Sequence, residues 1–271
     1  MRMLVVDAFT DRPFTGNPAG VCLLDGPAEP GWMQRVAAEM RHSETAFVRP
    51  IEAPGADFEL RWFTPVTEVA LCGHATLASA HALYETGAAP AGRPIRLRTL
   101  RSGVLTVTRA DGGGLLMDFP ASPATETGPP PDLDALLGTE PLWVGRNSLN
   151  DLLVQVADEA TVRGLAPAID VLARMDVRGV IVTAAADPGR DHAFVSRFFG
   201  GGARRPENRE DPVTGSAHCT LGPYWSERLG RTDLIGYQAS ARGGLVGVTV
   251  RNDRVELAGR AITVLNGHFH A

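Results

Sequence analysis

The sequence predicts an α+β fold built from two similar halves. Short strand patterns recur along the 271 residues, and each half contains one largely apolar helix, at residues 75–85 and 216–229. Such a helix is stable only where it is buried nearly all round, so each half is expected to wrap a curved sheet or barrel around its helix. A proline-rich segment at residues 120–131 is the expected linker. The predicted halves are residues 1–119 and 120–260.

An internal repeat supports the two halves. Residues 61–65 and 71–78 read RWFTP and LCGHATLA, while residues 197–200 and 210–218 read RFFG and EDPVTGSAH. Each pair of segments predicts a strand, a loop, and a Gly-polar-small turn that opens the apolar helix. A helix start presents unpaired backbone N–H groups and the positive end of the helix dipole. Two such starts facing one another across a cleft would bind an anion, most simply a carboxylate.

The other elements follow from hydrophobic periodicity. In the first half, the alternation of Phe58, Leu60 and Trp62 predicts a strand, and the spacing of Trp32 and Val36 predicts a helix. The full set of first-half predictions is strands at 4–9, 19–24, 45–48, 57–63, 95–99, 104–108 and 115–119, and helices at 31–40 and 75–85. The second-half predictions are helices at 132–137 and 216–229, and strands at 152–156, 180–183, 193–199, 237–241, 245–251 and 254–257.

Composition excludes several classes of function. The formal net charge is -5 and no basic run is present, so nucleic acid is not an expected partner. No apolar stretch is long enough to cross a bilayer, and the first residues predict a strand rather than a signal peptide. Three scattered cysteines fit a reducing cytoplasm.

The absence of lysine is a sharper constraint. All 26 basic residues are arginine, which excludes Schiff-base, pyridoxal-phosphate and Walker A chemistry. The glycine turns at 112–114 and 200–202 lack the G-x-G-x-x-G pattern, so no dinucleotide site is indicated.

Three side chains are candidates for chemistry. Glu44 comes directly before the apolar strand at 45–48, where a carboxyl group can move a proton near neutral pH; the alternative is a capping carboxylate. His74 stands at the start of the first buried helix, where it is either functional or simply packed. Asp211 precedes a proline that holds it rigidly; the alternative is an ordinary turn residue.

The helix starts offer further candidates. Gly215 and Ser216 either give backbone N–H groups to an anion or form an N-cap. Cys72 lies at a helix start, where a thiol can act as an acid or base, or is a small buried residue. The His268-x-His270 pair has no neighbouring ligand in the sequence, so no metal site is expected.

Five motifs resemble those of the PhzF-like (phenazine biosynthesis) family within the diaminopimelate epimerase superfamily. They occupy residues 9–18, 43–48, 72–77, 210–217 and 240–244, in the order of the family. The resemblance implies two pseudo-symmetric halves with the active site in the cleft between them, and a final strand, near residues 261–271, that joins the first half. It also implies a possible homodimer and chemistry without metal or organic cofactor.

The resemblance further implies an isomerase that moves a proton within a small acid, as in a biosynthetic process. By motif, Glu44 would shuttle the proton, His74 and Asp211 would hold the substrate and assist, and the amides near Gly73 and at Gly215 and Ser216 would bind its carboxylate. The expected partner is thus a small carboxylate-bearing substrate.

One departure bears on the mechanism. The superfamily's racemases use two cysteines, one at each helix start, whereas this chain has Cys72 at the first and Thr214 at the second. Cys219 lies beyond, inside the helix. The main hypothesis is therefore a cofactor-independent isomerase that uses Glu44. The alternatives are a Cys72-dependent epimerase or dehydratase and, in a different class, a carboxylate-binding protein with little catalysis.

Overall fold

The computed structural model describes residues 1–172, 174–200 and 210–270. The chain forms two compact units: unit 1 comprises residues 1–118 and 258–271, and unit 2 comprises residues 119–257. Across the described ranges, no helix has both the length and the apolar character needed to cross a membrane.

Strands outnumber helices in both units. The helices described are α1 (Pro30–Met40), α2 (Gly73–Glu85), α3 (Leu133–Leu137), α4 (Glu159–Gly164), α5 (Ile169–Leu172) and α6 (Gly215–Leu229). The strands described are β1 (Arg2–Ala8), β2 (Asn17–Leu23), β3 (Thr45–Ala53), β4 (Ala56–Phe63), β5 (Glu68–Val69), β6 (Ile95–Thr99), β7 (Val104–Arg109), β8 (Leu115–Pro120), β9 (Thr125–Glu126), β10 (Trp143–Arg146), β11 (Asp151–Gln155), β12 (Gly179–Ala185), β13 (Phe194–Gly200), β14 (Glu210–Asp211), β15 (Asp233–Gln238), β16 (Gly244–Arg251), β17 (Arg254–Gly259) and β18 (Ala261–His268). This composition confirms the predicted α+β class.

The two units share one strand topology. In unit 1, β1–β2, β3–β4, β4–β5 and β6–β7 pair antiparallel, while β2–β3 and β4–β6 pair parallel. In unit 2, β10–β11, β12–β13, β13–β14 and β15–β16 pair antiparallel, while β11–β12 and β13–β15 pair parallel. The order of parallel and antiparallel pairs is the same, so the internal repeat predicted from the sequence is confirmed.

Matching ion pairs lie at the repeated segments. In unit 1, Arg61 on β4 makes a two-pronged ion pair with Glu68 on β5, with Nε 2.8 Å from Oε1. In unit 2, Arg197 on β13 makes the same contact with Glu210 on β14, with Nε 2.6 Å from Oε1. These bidentate contacts fix the short strand that leads into each buried helix.

Each unit buries a helix against its sheet. In α2, ten residues from His74 to Tyr84 are buried, including Leu77 and Leu83, as the sequence predicts. In unit 2, the indole ring of Trp225 on α6 stacks on Phe194 of β13, with ring centroids 6.1 Å apart. The opposite face of the unit 2 sheet packs into a separate apolar cluster that includes Val195 and Phe199.

Several element predictions need correction. The strand predicted at 237–241 ends at Gln238, because the Ser240 hydroxyl donates to the Pro212 carbonyl and accepts from the Gly243 amide, which closes a turn. The proline-rich segment contains β9, which pairs with β10. The sequence reading missed β5, β10, β14, α4 and α5. The glycine turn predicted at 200–202 lies outside the described residues after Gly200.

Candidate functional site

Glu44 and His74 come together in unit 1. Glu44 is 1% exposed and directly precedes β3, whose first residue pairs with Gly20 of the parallel strand β2. His74 is the second residue of α2, and its Nε2 lies 3.4 Å from Oε2 of Glu44. A carboxyl group and an imidazole thus meet in a site largely closed to water.

Cys72 extends this group to three side chains. It is the residue before α2, and its Sγ lies 3.5 Å from Nδ1 of His74. The Cys72 carbonyl accepts hydrogen bonds from the amide and hydroxyl of Thr76, which fixes the first turn of the helix. The ligand-type atoms of Glu44, Cys72 and His74 all lie within 4.8 Å of one another.

The start of α2 carries no side-chain cap. Cys72 occupies the N-cap position in an extended conformation, and within the described part of the chain no side chain caps the helix there. The backbone N–H groups near Gly73 therefore point out of the N-terminal end of α2, where the helix dipole favours negative charge.

Asp211 is held at the start of α6 in unit 2. It is 4% exposed, and its Oδ2 accepts a hydrogen bond of 2.6 Å from the hydroxyl of Thr214. The fully buried Gln238 links the same segment: its Nε2 donates to the Asp211 carbonyl, and its Oε1 accepts from the Thr214 amide. Because the Thr214 hydroxyl bonds Asp211, it does not cap α6, and the first amides of this helix also lack a side-chain cap across the described residues.

Ser216 meets a basic side chain at the start of α6. The Nη2 atom of Arg178 lies 3.1 Å from the Ser216 hydroxyl and also contacts Oδ2 of Asp151, which is fully buried. The side-chain amide of Asn147 donates through Nδ2 to the same oxygen of Asp151 at 3.0 Å. Arg178 thus places positive charge beside the amides of Gly215 and Ser216, and a buried carboxylate holds its guanidinium.

His218 lies one turn further along α6. Burial lowers the pKa of this fully buried imidazole from its usual 6.5 to about 4, against a smaller opposing effect of the Thr214 carbonyl, 2.9 Å from Nδ1. The ring is therefore neutral near pH 7, with Nδ1 as the donor. It supports the helix start rather than carrying a charge.

The sequence-derived candidates fall into two groups. In unit 1 the structure brings together Glu44 and His74, with Gly73 beside them. In unit 2 it places Asp211 next to the start of α6, where Gly215 and Ser216 lie. Cys219 lies inside α6, as expected.

Sequence reasoning missed Arg178 and Gln238. The sequence carries no signal for Gln238, because the full burial that makes its amide group need partners is visible only in the structure. Arg178 carries none, because its contacts with Asp151 and Ser216 join residues 27 and 38 positions apart in the chain.

Comparison with known proteins places these motifs in a family. A family model described as phenazine biosynthesis-like protein matches residues 6–267. A protein of Halalkalibacterium halodurans, named an uncharacterized isomerase, is 47% identical over 266 residues, which cover 98% of this chain and 97% of that protein. A crystal structure of a PhzF-family phenazine biosynthesis protein from Enterococcus faecalis has 37% identity and a TM-score of 0.90, covering 100% of this chain and 99% of that one. The resemblance drawn from the motifs is confirmed.

A more distant structure bears on the fold alone. A hydroxyproline epimerase from Agrobacterium vitis has a TM-score of 0.62 at 14% identity, covering 98% of this chain and 91% of that one. The predicted epimerase-like fold of two similar halves is therefore confirmed.

Proposed function

Because the chain belongs to the phenazine biosynthesis-like family and is an isomerase, we propose that it moves a proton within a small carboxylate-bearing metabolite, with Glu44 as acid and base. The observation that carries the proposal is the buried contact between Oε2 of Glu44 and Nε2 of His74, 3.4 Å apart. A carboxyl group shielded from water and within reach of an imidazole is placed for acid–base chemistry on a bound substrate.

The proposed reaction has two proton transfers. The Glu44 carboxylate takes a proton from a C–H bond of the substrate, and the electron pair left behind delocalises into the neighbouring unsaturated system. The Glu44 carboxylic acid then returns the proton to a different carbon, so the double bond shifts and the atoms balance. His74 holds a polar group of the substrate and the Glu44 side chain in place. No organic cofactor or metal enters this scheme.

Negative charge on the substrate needs preorganised donors. We assign carboxylate binding to the backbone N–H groups at each helix start, near Gly73 in unit 1 and at Gly215 and Ser216 in unit 2, and we assign Asp211 to orienting polar groups of a ligand. The uncapped helix starts of α2 and α6 support this assignment, since their dipoles and amides favour an anion. Donors of this kind stabilise the charge that develops when the proton leaves carbon.

The test is a Glu44→Gln variant compared with Glu52→Gln, which alters an exposed carboxyl group on β3. Each protein is incubated with a metabolite extract in deuterated water, and bound and released metabolites are read by mass spectrometry. Wild type and Glu52→Gln are expected to introduce deuterium into one metabolite and to convert it. Glu44→Gln is expected to retain the unconverted metabolite without exchange. Deuterium exchange by Glu44→Gln at the wild-type rate would refute the role of Glu44.

One contact favours a second candidate, a Cys72-dependent epimerase or dehydratase. Sγ of Cys72 lies 3.5 Å from Nδ1 of His74, and a thiol beside an imidazole is a common catalytic pair. Here a Cys72→Ser variant should lose deuterium exchange while Glu44→Gln retains part of it. The opposite pattern supports the Glu44 mechanism.

A further inference from the structure

A thiol, an imidazole and a carboxyl group lie in a row at the start of α2. Sγ of Cys72 lies 3.5 Å from Nδ1 of His74 and 4.0 Å from Nε2, so the thiol is nearer to Nδ1. The Glu44 carboxyl group lies at the opposite ring nitrogen, with Oε2 3.4 Å from Nε2. Nucleophilic triads have this order, in which a histidine bridges a nucleophile and a carboxyl group. We propose that Cys72 is a nucleophile and that the protein hydrolyses small activated acyl esters, an activity beyond the proposed isomerisation.

The two ring nitrogens of His74 have different roles in this triad. Nδ1 accepts the thiol proton, and Nε2 carries the proton that is directed at the Glu44 carboxylate. Glu44 is 1% exposed and His74 is 4% exposed, so little water is available to replace their contact. For the acyl chemistry Glu44 is a positioning residue, because it holds the imidazole ring and stabilises the positive charge that the ring gains from the thiol.

The helix start supplies the other parts of such a site. Cys72 is the N-cap residue of α2, and no side chain caps the helix among the residues that the structure describes. The positive end of the helix dipole favours the thiolate, which is the reactive form of cysteine. The backbone N–H groups of Gly73 and His74 have no partner within the helix, so they can stabilise the oxyanion that forms when an acyl group is attacked.

Burial limits the size of the acyl group. Cys72 is 7% exposed, whereas its neighbour Leu71 is 39% exposed, so the thiol lies just behind the surface. The amide and hydroxyl of Thr76 donate to the Cys72 carbonyl and fix the residue in this place. An acetyl group is therefore a better match than a long or branched acyl group.

The proposed hydrolysis balances with water as its co-reactant. The Cys72 thiolate bonds to the acyl carbon, the bond to the leaving alcohol breaks, and His74 gives that alcohol the proton taken from the thiol. Nδ1 of His74 then takes a proton from water while the hydroxide attacks the acyl thioester. The C–S bond breaks, the proton returns to sulfur, and a carboxylic acid leaves.

The direct test uses p-nitrophenyl acetate. Reduced protein is mixed with excess ester, and p-nitrophenolate release is followed by stopped-flow absorbance. We expect a burst of about one p-nitrophenolate per chain, slower steady release, and an acetyl group on Cys72 in peptide mass spectrometry of quenched samples. No burst, or an acetyl group only on other residues, would overturn the proposal. A burst without further release would overturn the hydrolase activity, since the thiol is then only acylated.

Two variants and a matched control test the roles in the triad. Cys72→Ala should lose the burst, whereas Cys219→Ala, at a buried cysteine inside α6, should keep it. His74→Gln should slow the burst at least about 100-fold, the lower end of what a general base contributes. Circular dichroism checks that each variant is folded. A burst of wild-type size in Cys72→Ala, or at the wild-type rate in His74→Gln, contradicts the triad.

Glu44→Gln distinguishes this activity from the proposed isomerase. The glutamine oxygen can still accept the Nε2 proton, so the burst should persist at a lower rate while deuterium exchange into the metabolite is lost. Exchange that persists in this variant refutes only the Glu44 mechanism of isomerisation. A missing burst in the wild type refutes only the hydrolase.

A measurement on unmodified protein covers the case in which the variants do not fold. Wild-type protein is treated with iodoacetamide for increasing times, and peptide mass spectrometry gives the fraction of Cys72 alkylated, with Cys219 as the internal reference. This fraction should equal the fraction of the burst that is lost. A burst that survives complete alkylation of Cys72 contradicts the proposal. Resistance of Cys72 to the reagent also contradicts it, since a nucleophilic thiol open to an acetyl ester is open to iodoacetamide.

Discussion

Acidification should destabilise the protein through His218. This imidazole is fully buried in α6, its Nδ1 lies 2.9 Å from the Thr214 carbonyl oxygen, and its Nε2 has no hydrogen-bond partner in the described part of the chain. Burial lowers the pKa of His218 to about 4, because a charged ring would lose its hydration. Protonation in the folded state therefore puts a charge into the core at Nε2.

The direction and size of the change in the free energy of unfolding follow from the difference between the pKa values of His218 in the folded and unfolded protein. The pKa of the histidine is about 6.5 in the unfolded chain and about 4 in the folded protein. Between these two pH values the unfolded chain therefore holds a proton at His218 that the folded protein does not. The free energy of unfolding therefore falls as the pH drops through this window and levels off below it. One pKa unit corresponds to about 1.4 kcal/mol, which gives a total loss of about 3 kcal/mol, of which about 2 kcal/mol falls between about pH 7 and about pH 5.

The assay is urea unfolding at several pH values, followed by circular dichroism. The variant His218→Asn keeps an N–H donor for the Thr214 carbonyl but cannot take up the proton, and His270→Asn controls for the loss of an exposed histidine. Wild type and His270→Asn should lose about 2 kcal/mol more than His218→Asn between about pH 7 and about pH 5. An identical pH dependence in wild type and His218→Asn would refute the reasoning.

Three more predictions concern packing and charge. Arg178→Met should lower the free energy of unfolding by about 1–3 kcal/mol in urea unfolding, because it leaves the buried Asp151 carboxylate without its positively charged partner. The double variant with Asp151→Asn should recover part of this loss. Gly236→Ala should lower the free energy of unfolding by about 1–3 kcal/mol, because the added Cβ would lie 2.5 Å from the buried ring of Phe194. The control Gly267→Ala should change it by less than about 0.5 kcal/mol. Burial raises the pKa of the Cys22 thiol to about 12. Cys22 should therefore resist alkylation by iodoacetamide in the folded protein at mildly alkaline pH and react in urea, as read by peptide mass spectrometry.

The repeat was predictable because its signals are local. The segments RWF and RFF each place an arginine two residues before a phenylalanine. Phe63 of the first segment pairs with Glu68, and Phe199 of the second pairs with Glu210. The apolar character of α2 and α6 likewise predicts burial, and both helices start within two residues of the predicted position.

The remaining features depend on contacts distant in sequence. The two-residue strands β5 and β14 are too short to show alternation, and their pairing with β4 and β13 defines them. The contact between Glu44 and His74 joins residues 30 positions apart, so the sequence offers each residue separately but not the pair. Arg178 was missed for the same reason.

The topological repeat shows how the two helix starts differ in charge. Thr45 pairs with Phe63 across the sheet of unit 1, and Val180 pairs with Phe199 in unit 2. Aligning the two phenylalanines therefore aligns Thr45 with Val180. Glu44 then corresponds to Gly179, where a side chain has no room because a Cβ would lie 2.2 Å from the ring of Phe198.

Arg178, one residue earlier, takes over the contact with the helix in unit 2. It reaches Ser216, the counterpart of His74, just as Glu44 reaches His74 in unit 1. Neighbouring positions in the repeat, one residue apart, thus supply a carboxyl group to one helix start and a guanidinium to the other. A racemase with two equivalent bases needs matched groups at both places, whereas this chain has a carboxyl group at one helix start and a guanidinium at the other.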